Sequence, residues 1–121
     1  MSRVPCFLFV TLLLHAAQPA QAAREFWYQK VWCEGKGGKV EHELPQGPRV
    51  DCLTKTHAIE MDFARKWPEA IGQSLHYSLL TGLEAGIVLI LKSPGETHHI
   101  HAARKVIKHY QLPIKLWRLG P

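Results

Sequence analysis

The sequence contains no internal repeat, no low-complexity tract and no hydrophobic run long enough to cross a membrane. A membrane-spanning helix needs roughly 20 apolar residues. The apolar stretch near the N-terminus, residues 4–14, is shorter and is interrupted by Pro5 and Thr11. These absences argue against a repeat protein and an integral membrane protein, and the length favours one globular domain.

The N-terminal segment has the three parts of a secretory signal peptide. Arg3 supplies positive charge, the apolar run follows it, and Ala20-Gln21-Ala22 has the small residues that signal peptidase requires. We therefore predict a signal peptide over residues 1–22 and a single domain over residues 23–121. The expected location is the periplasm or the extracellular medium, with no membrane anchor left after cleavage. The alternative is a retained N-terminal anchor.

Cysteine is scarce, at three residues, and acidic residues are fewer than basic ones. Once the signal peptide is removed, Cys33 and Cys52 remain, and an oxidising compartment favours a disulfide bond between them. The alternative is two buried thiols. Two cysteines alone do not form a structural zinc site. The net charge of +5 is compatible with a polyanionic partner such as nucleic acid, without requiring one.

Hydrophobic periodicity predicts an α/β domain with a mixed sheet and helices on its faces. In the strand over residues 57–63, Ile59, Met61 and Phe63 are expected to face a core, with Glu60 and Asp62 on the opposite side. The predicted elements follow the order α-β-β-β-α-β-α-β, over residues 25–33, 39–44, 49–54, 57–63, 68–81, 85–91, 98–110 and 112–119.

Three acidic residues form a candidate site. If the strands of Asp51 and Glu60 are neighbours, their carboxylates converge on the side of the sheet that also carries Asp62. Hard divalent cations such as Mg²⁺ bind oxygen ligands of this kind. The alternative is that Glu60 and Asp62 lie on a solvated strand face.

The following helix adds a polar stripe. Lys66, Gln73 and Tyr77 are separated by seven and four residues, so they share one side if all three are helical. The alternative is an ordinary solvent-facing stripe.

The combined pattern of Asp51, Glu60-x-Asp62 and Gln73-x-x-x-Tyr77 resembles the PD-(D/E)XK nuclease superfamily, particularly the branch that includes the RecB nuclease domain. That branch carries an Asp on one strand, Glu-x-Lys on the next and Gln-x-x-x-Tyr on the following helix. The similarity spans residues 49–91 and extends to small exported bacterial proteins of this type. It implies a restriction-endonuclease-like αβββαβ core, followed here by a further helix and strand.

The resemblance also implies a function, the hydrolysis of phosphodiester bonds in nucleic acid with Mg²⁺ or Mn²⁺. It implies Asp51 and Glu60 as metal ligands, and a Glu from the first helix, for which Glu25 and Glu34 are candidates. This chain has Asp62 where the family has lysine, so either Lys66 supplies the ammonium or Asp62 is a third metal ligand. The implied catalytic set is Asp51, Glu60, Lys66, Gln73 and Tyr77.

The sequence is also compatible with two other functions. The chain is alternatively an envelope interaction module that kept the nuclease fold and lost catalysis, or a small metal-binding protein using His98, His99 and His101. Basic residues near the C-terminus suit phosphate contacts, but no interleaved aromatic platform for bases is evident in the sequence.

Overall fold

The computed structural model describes residues 19–121, with side chains from Arg24 onward. Residues 1–18 of the predicted signal peptide lie outside the described residues. The predicted cleavage site after Ala22 falls within the first helix. None of the helices in residues 19–121 is long and apolar enough to span a lipid bilayer.

The predicted order of helices and strands is confirmed. A short 3₁₀ turn, Ala64–Lys66, separates the third strand from the second helix, so Lys66 precedes that helix. A second 3₁₀ turn, Pro94–Glu96, precedes the third helix. In chain order the elements are α1 (Pro19–Gly35), β1 (Lys39–Glu43), β2 (Arg49–Leu53), β3 (His57–Phe63), α2 (Trp67–Thr81), β4 (Glu84–Ile90), α3 (Thr97–His109) and β5 (Ile114–Leu119).

The five strands form one mixed sheet in the order β1-β2-β3-β4-β5. The pairs β1–β2 and β2–β3 are antiparallel, whereas β3–β4 and β4–β5 are parallel. Parallel neighbours need crossover connections, and α2 and α3 provide them. The central strand β3 therefore has an antiparallel neighbour on one side and a parallel neighbour on the other.

Both faces of β3 are covered. On one face, Ile59 and Met61 pack with Val88 and the two cysteines. On the other face, Glu60 and Asp62 are only 6% and 8% exposed. The alternative of a solvated strand face for these two acids is therefore wrong.

The second core layer lies between β4 and the helices α2 and α3. Ile87 and Leu89 of β4 pack against Ala70, Ile100 and Ala103. The expectation that the apolar β4 run is a strand covered on both faces is confirmed, because all residues from Ala85 to Ile90 are buried.

A disulfide bond joins Cys33 of α1 to Cys52 of β2, as the sequence predicts. Gly38 permits this contact, because a Cβ atom there would lie 2.6 Å from Cys52 Sγ and 2.7 Å from Cys33 Sγ. The bond holds α1 against the sheet by its Gln29 and Cys33 side. Four large side chains of α1 are nevertheless exposed, namely Phe26, Trp27, Tyr28 and Val31.

Candidate functional site

The structure brings Asp51 and Glu60 together. Asp51 Oδ2 accepts a hydrogen bond of 2.8 Å from the amide of Met61, the residue after Glu60. This bond fixes the Asp51 carboxylate beside β3, where it influences the ionisation of Glu60 directly. The two acids that the sequence analysis paired across β2 and β3 are therefore neighbours.

Burial and mutual repulsion strongly perturb this pair. Burial, reinforced by the charge of Asp51, raises the pKa of Glu60 to about 9. Burial also raises the pKa of Asp51 to about 6, although the Met61 amide opposes the shift. Without a cation, Glu60 therefore holds a proton at neutral pH, while Asp51 is largely ionised.

One oxygen of Glu60 has no hydrogen-bond partner. Glu60 Oε2 is fully buried, and no donor among residues 19–121 reaches it. A buried polar atom is normally paired, so the unpaired Oε2 marks a position that a water molecule or a cation would fill.

Tyr77 of α2 lies against the same pair. The residue is buried, and burial together with the charge of Glu60 raises the pKa of its hydroxyl well above the usual range. The hydroxyl in turn favours the ionised form of Glu60, which partly opposes the rise in the pKa of that carboxyl. Gln73, one turn earlier, is exposed on the surface of α2. Of the predicted Gln-x-x-x-Tyr pair, only Tyr77 joins the buried acids.

Asp62 lies further along β3. Its Oδ1 accepts a hydrogen bond of 2.8 Å from the Phe63 amide. Burial raises the pKa of Asp62, and the ammonium of the exposed Lys66 opposes that shift most strongly. Lys66 is therefore close enough to act on the acidic residues, although it belongs to the turn before α2.

Glu25 of α1 joins this end of the sheet. Burial and the charge of Asp62 raise the pKa of Glu25, whereas Lys66 and Lys92 lower it. The other candidate from the first helix, Glu34, is exposed. Gln29, which the sequence analysis did not single out, is 6% exposed and lies one turn after Glu25.

Lys92 is a basic residue near the acidic groups, in addition to Lys66, and the sequence analysis did not single it out. Its Nζ lies 4.4 Å from the centre of the Phe63 ring, at the end of β3. The sequence contained a signal for Lys92, because this residue directly follows the predicted strand over residues 85–91. The carboxyl ends of neighbouring parallel strands form one edge, where ligands of open α/β sheets bind.

The residues present fit a divalent cation held by two carboxylates. Within residues 19–121, no three Asp, Glu, His or Cys side chains are arranged to hold a metal ion, so Asp51, Glu60 and Asp62 do not form a three-ligand set. Mg²⁺ commonly uses one or two carboxylates and completes its octahedron with water and phosphate oxygens. The orphaned Oε2 of Glu60 and the oxygen of Asp51 not bound to Met61 match that requirement.

The histidine-rich start of α3 does not form a comparable site. The Nδ1 atom of His98 lies 2.9 Å from the Gly95 carbonyl oxygen, within hydrogen-bonding distance. The rings of His98 and His99 pack together, with centres 4.0 Å apart. In the described part of the chain these histidines belong to no metal-binding group.

Comparison with known proteins gives one distant relationship. No family model matches the sequence, and no solved structure matches it. The chain is similar to the putative KilA-N domain-containing protein L33 of Acanthamoeba polyphaga mimivirus, with 31% identity over 105 residues. The match covers 87% of this chain and 42% of the viral protein. A 105-residue match within 121 residues leaves only 16 outside it, so the matched part includes the segment from Glu25 to Lys92.

Proposed function

We propose that this protein is a metal-dependent nuclease of the PD-(D/E)XK type that hydrolyses phosphodiester bonds in nucleic acid. The observation that carries the proposal is the neighbouring Asp51–Glu60 pair, in which Glu60 is buried and one of its oxygens has no partner. The succession of α1, three strands, α2 and β4 supports a restriction-endonuclease-like core. The elements α3 and β5 extend that core.

Asp51 and Glu60 are the proposed ligands of Mg²⁺ or Mn²⁺. When bound, such an ion lowers the pKa of a coordinated water and neutralises charge on the scissile phosphate. Tyr77 orients Glu60 and favours its ionised form, and so prepares it for metal binding. Asp62 serves as an outer carboxylate, held by the Phe63 amide.

We propose that the positive charge comes from lysines that follow the carboxyl ends of β3 and β4, rather than from a lysine within β3. Lys66 and Lys92 both act on Glu25, and Lys66 also acts on Asp62. Either ammonium replaces the family's strand lysine in stabilising charge on a phosphate. The proposed role of Gln73, which is exposed on α2, is to contact the nucleic acid.

The remaining proposals concern partner and location. The net positive charge favours approach of a polyanion, and the N-terminal sequence favours export to the periplasm or the medium. The viral relative is named for a KilA-N domain, and the chain spans less than half of that protein. The nuclease proposal therefore depends on the acidic pair and not on that name.

A nicking assay tests the proposal. The purified full chain is incubated with supercoiled plasmid or single-stranded RNA in Mg²⁺, Mn²⁺ or EDTA. We expect metal-dependent cleavage that falls about 100-fold or more in Asp51→Asn and in Glu60→Gln. Glu34→Gln is the matched control, because it removes an exposed acid from α1 and should leave the rate unchanged.

Loss of cleavage in both acidic variants but not in the control supports the nuclease. Absence of cleavage of DNA and RNA with either metal overturns it. In that outcome, retained binding of nucleic acid favours the alternative of an interaction module with the nuclease fold. Where cleavage is observed, Lys66→Gln and Lys92→Gln identify the ammonium in use, because only substitution of the working lysine lowers the rate at saturating metal.

A further inference from the structure

A cavity opens at the amino end of β3, away from the acidic pair. Its volume is about 480 Å³, within the range of ~300–1,000 Å³ typical of small-ligand pockets. Its apolar walls come from Trp32 of α1, Ile59 of β3 and Trp117 of β5. Its rim carries lysines from three separate segments of the chain.

Two indole rings define the shape of this pocket. The centres of the Trp32 and Trp117 rings are 5.2 Å apart, and their planes meet at 66°. The two rings therefore meet edge to face in the lining of the pocket. Gly86 allows this packing, because a Cβ atom there would lie only 2.7 Å from the Trp117 ring. The sequence analysis found no aromatic platform, since these two tryptophans come from opposite ends of the domain.

Lysine side chains border both indole rings. Lys36 Nζ lies 5.5 Å from the centre of the Trp32 ring, and Lys115 Nζ lies 4.9 Å from that of Trp117. Lys55, between β2 and β3, is the third lysine of the lining. Among residues 19–121, none of the three forms an ion pair with a carboxylate. The lining itself contains no acidic residue.

We propose that this pocket binds a nucleoside phosphate. Aromatic rings stack on any nucleobase, because every base has a π-face. Unpaired ammonium groups beside the rings attract phosphate oxygens. The base packs against Trp32 and Trp117, and the phosphate is held by Lys36, Lys55 and Lys115. The same chemistry is offered by a free nucleotide and by the phosphorylated end of a nucleic acid strand.

This site is separate from the acidic pair and does not rest on the proposed hydrolysis. Ile59 lines the pocket, and successive residues of a strand point to opposite faces, so Glu60 points away from it. His57, at the pocket, is three residues from Glu60, or roughly 10 Å along an extended strand, and the two sites lie on opposite faces of the sheet. A ligand in the pocket therefore leaves the metal site accessible.

Calorimetric titration of the full chain in EDTA tests the proposal without permitting metal-dependent cleavage. The probes are AMP, adenosine, inorganic phosphate, phosphotyrosine and a short 5′-phosphorylated oligothymidylate. We expect AMP or the oligonucleotide to bind more tightly than adenosine and phosphate. Lys55→Gln and Lys115→Gln should each weaken that binding about 2- to 5-fold.

Trp117→Leu should weaken binding about 10-fold or more, because it removes a stacking surface. Since Trp117 also packs into the core, the exposed lysine variants keep the test valid if this variant does not fold. Lys105→Gln, on α3 and outside the pocket, is the control with the same change in net charge. Tighter binding of the oligonucleotide than of AMP identifies a strand end as the ligand, and equal binding identifies a free nucleotide.

Three results overturn the proposal. Equal binding of adenosine and AMP shows that the lysines do not hold a phosphate. An equal loss in Lys105→Gln and Lys115→Gln shows that net charge alone is responsible. Phosphotyrosine binding as tight as AMP binding shows that the pocket does not select a nucleobase.

Discussion

The side chain of Asp51 accepts a hydrogen bond from the backbone amide of Met61, at 2.8 Å. In the register of β2 and β3, Cys52 pairs with Ile59 and Leu53 with Ala58, and the Asp51 carboxylate bonds to β3 just beyond those pairs. Asp51 therefore extends the contact between two strands while bringing its carboxylate to Glu60. The acidic pair is built into the sheet itself.

This double role distinguishes two substitutions of Asp51. In Asp51→Asn the side-chain carbonyl still accepts the Met61 amide, and the buried charge is removed, so we expect stability equal to or above that of the wild type. In Asp51→Ala the amide loses its partner, which costs about 1–3 kcal/mol. Urea unfolding at pH 7 measures both. Equal stability of the two variants would contradict the structural role.

The raised pKa of Glu60 predicts a loss of stability with increasing pH. The folded protein holds the Glu60 proton up to about pH 9, whereas an ordinary Glu releases it near 4.5. Between these values the folded state binds more protons than the unfolded state, so the free energy of unfolding falls as pH rises, by at most about 1.4 kcal/mol per pH unit for this group. Below about pH 6, the raised pKa of Asp51 contributes a further decrease in the free energy of unfolding as pH rises.

Glu60→Gln should flatten that pH dependence above pH 6 and make the protein more stable than the wild type at pH 8. Thermal unfolding from pH 5 to pH 9 in EDTA provides the measurement. Glu34→Gln, which changes an exposed acid, should retain the wild-type slope. A wild-type stability that rises between pH 6 and pH 8 would show that Glu60 is ionised in the folded protein.

Divalent cations should reverse the destabilisation at high pH. A cation replaces the Glu60 proton, so its binding strengthens as pH rises. We expect 10 mM Mg²⁺ or Mn²⁺ to raise the unfolding temperature by about 5 °C at pH 8 and by much less at pH 5. Scanning calorimetry measures the shift. An equal shift in Glu60→Gln would place the ion elsewhere.

Two glycines near the disulfide bond should respond differently to alanine. A Cβ atom at Gly38 would lie within 2.7 Å of both sulfur atoms, whereas one at Gly35 would meet nothing within 4 Å. We expect Gly38→Ala to cost about 1–3 kcal/mol through overpacking, and Gly35→Ala to be neutral or slightly stabilising. Denaturant unfolding of the oxidised proteins measures the difference, which should shrink after reduction.

Most of the fold was predictable from patterns among residues close in the sequence. Strict alternation gave the bounds of β3, which the structure reproduces from His57 to Phe63. The proline and glycine signals around α2 were equally informative, because Pro68 lies in its first turn and Gly82 ends it with a positive φ of 71°. Such signals depend only on residues that are close in sequence.

The site was only partly predictable because it depends on contacts between distant segments. Asp51, Glu60 and Asp62 shared a predicted sheet face, so their proximity followed from strand order. Lys92 comes to the same edge only because β4 is parallel to β3, and sequence periodicity does not specify that direction. The meeting of Trp32 with Trp117 likewise requires α1 to cover the face of the sheet on which the Trp117 side chain of β5 lies.

The single covalent cross-link between α1 and β2 has a consequence for both ends of the molecule. The same helix supplies Glu25 near the carboxyl edge and Trp32 at the opposite cavity. A reducing environment leaves the helix with few buried side chains to hold it. Reduction of this bond is therefore expected to loosen both surfaces together.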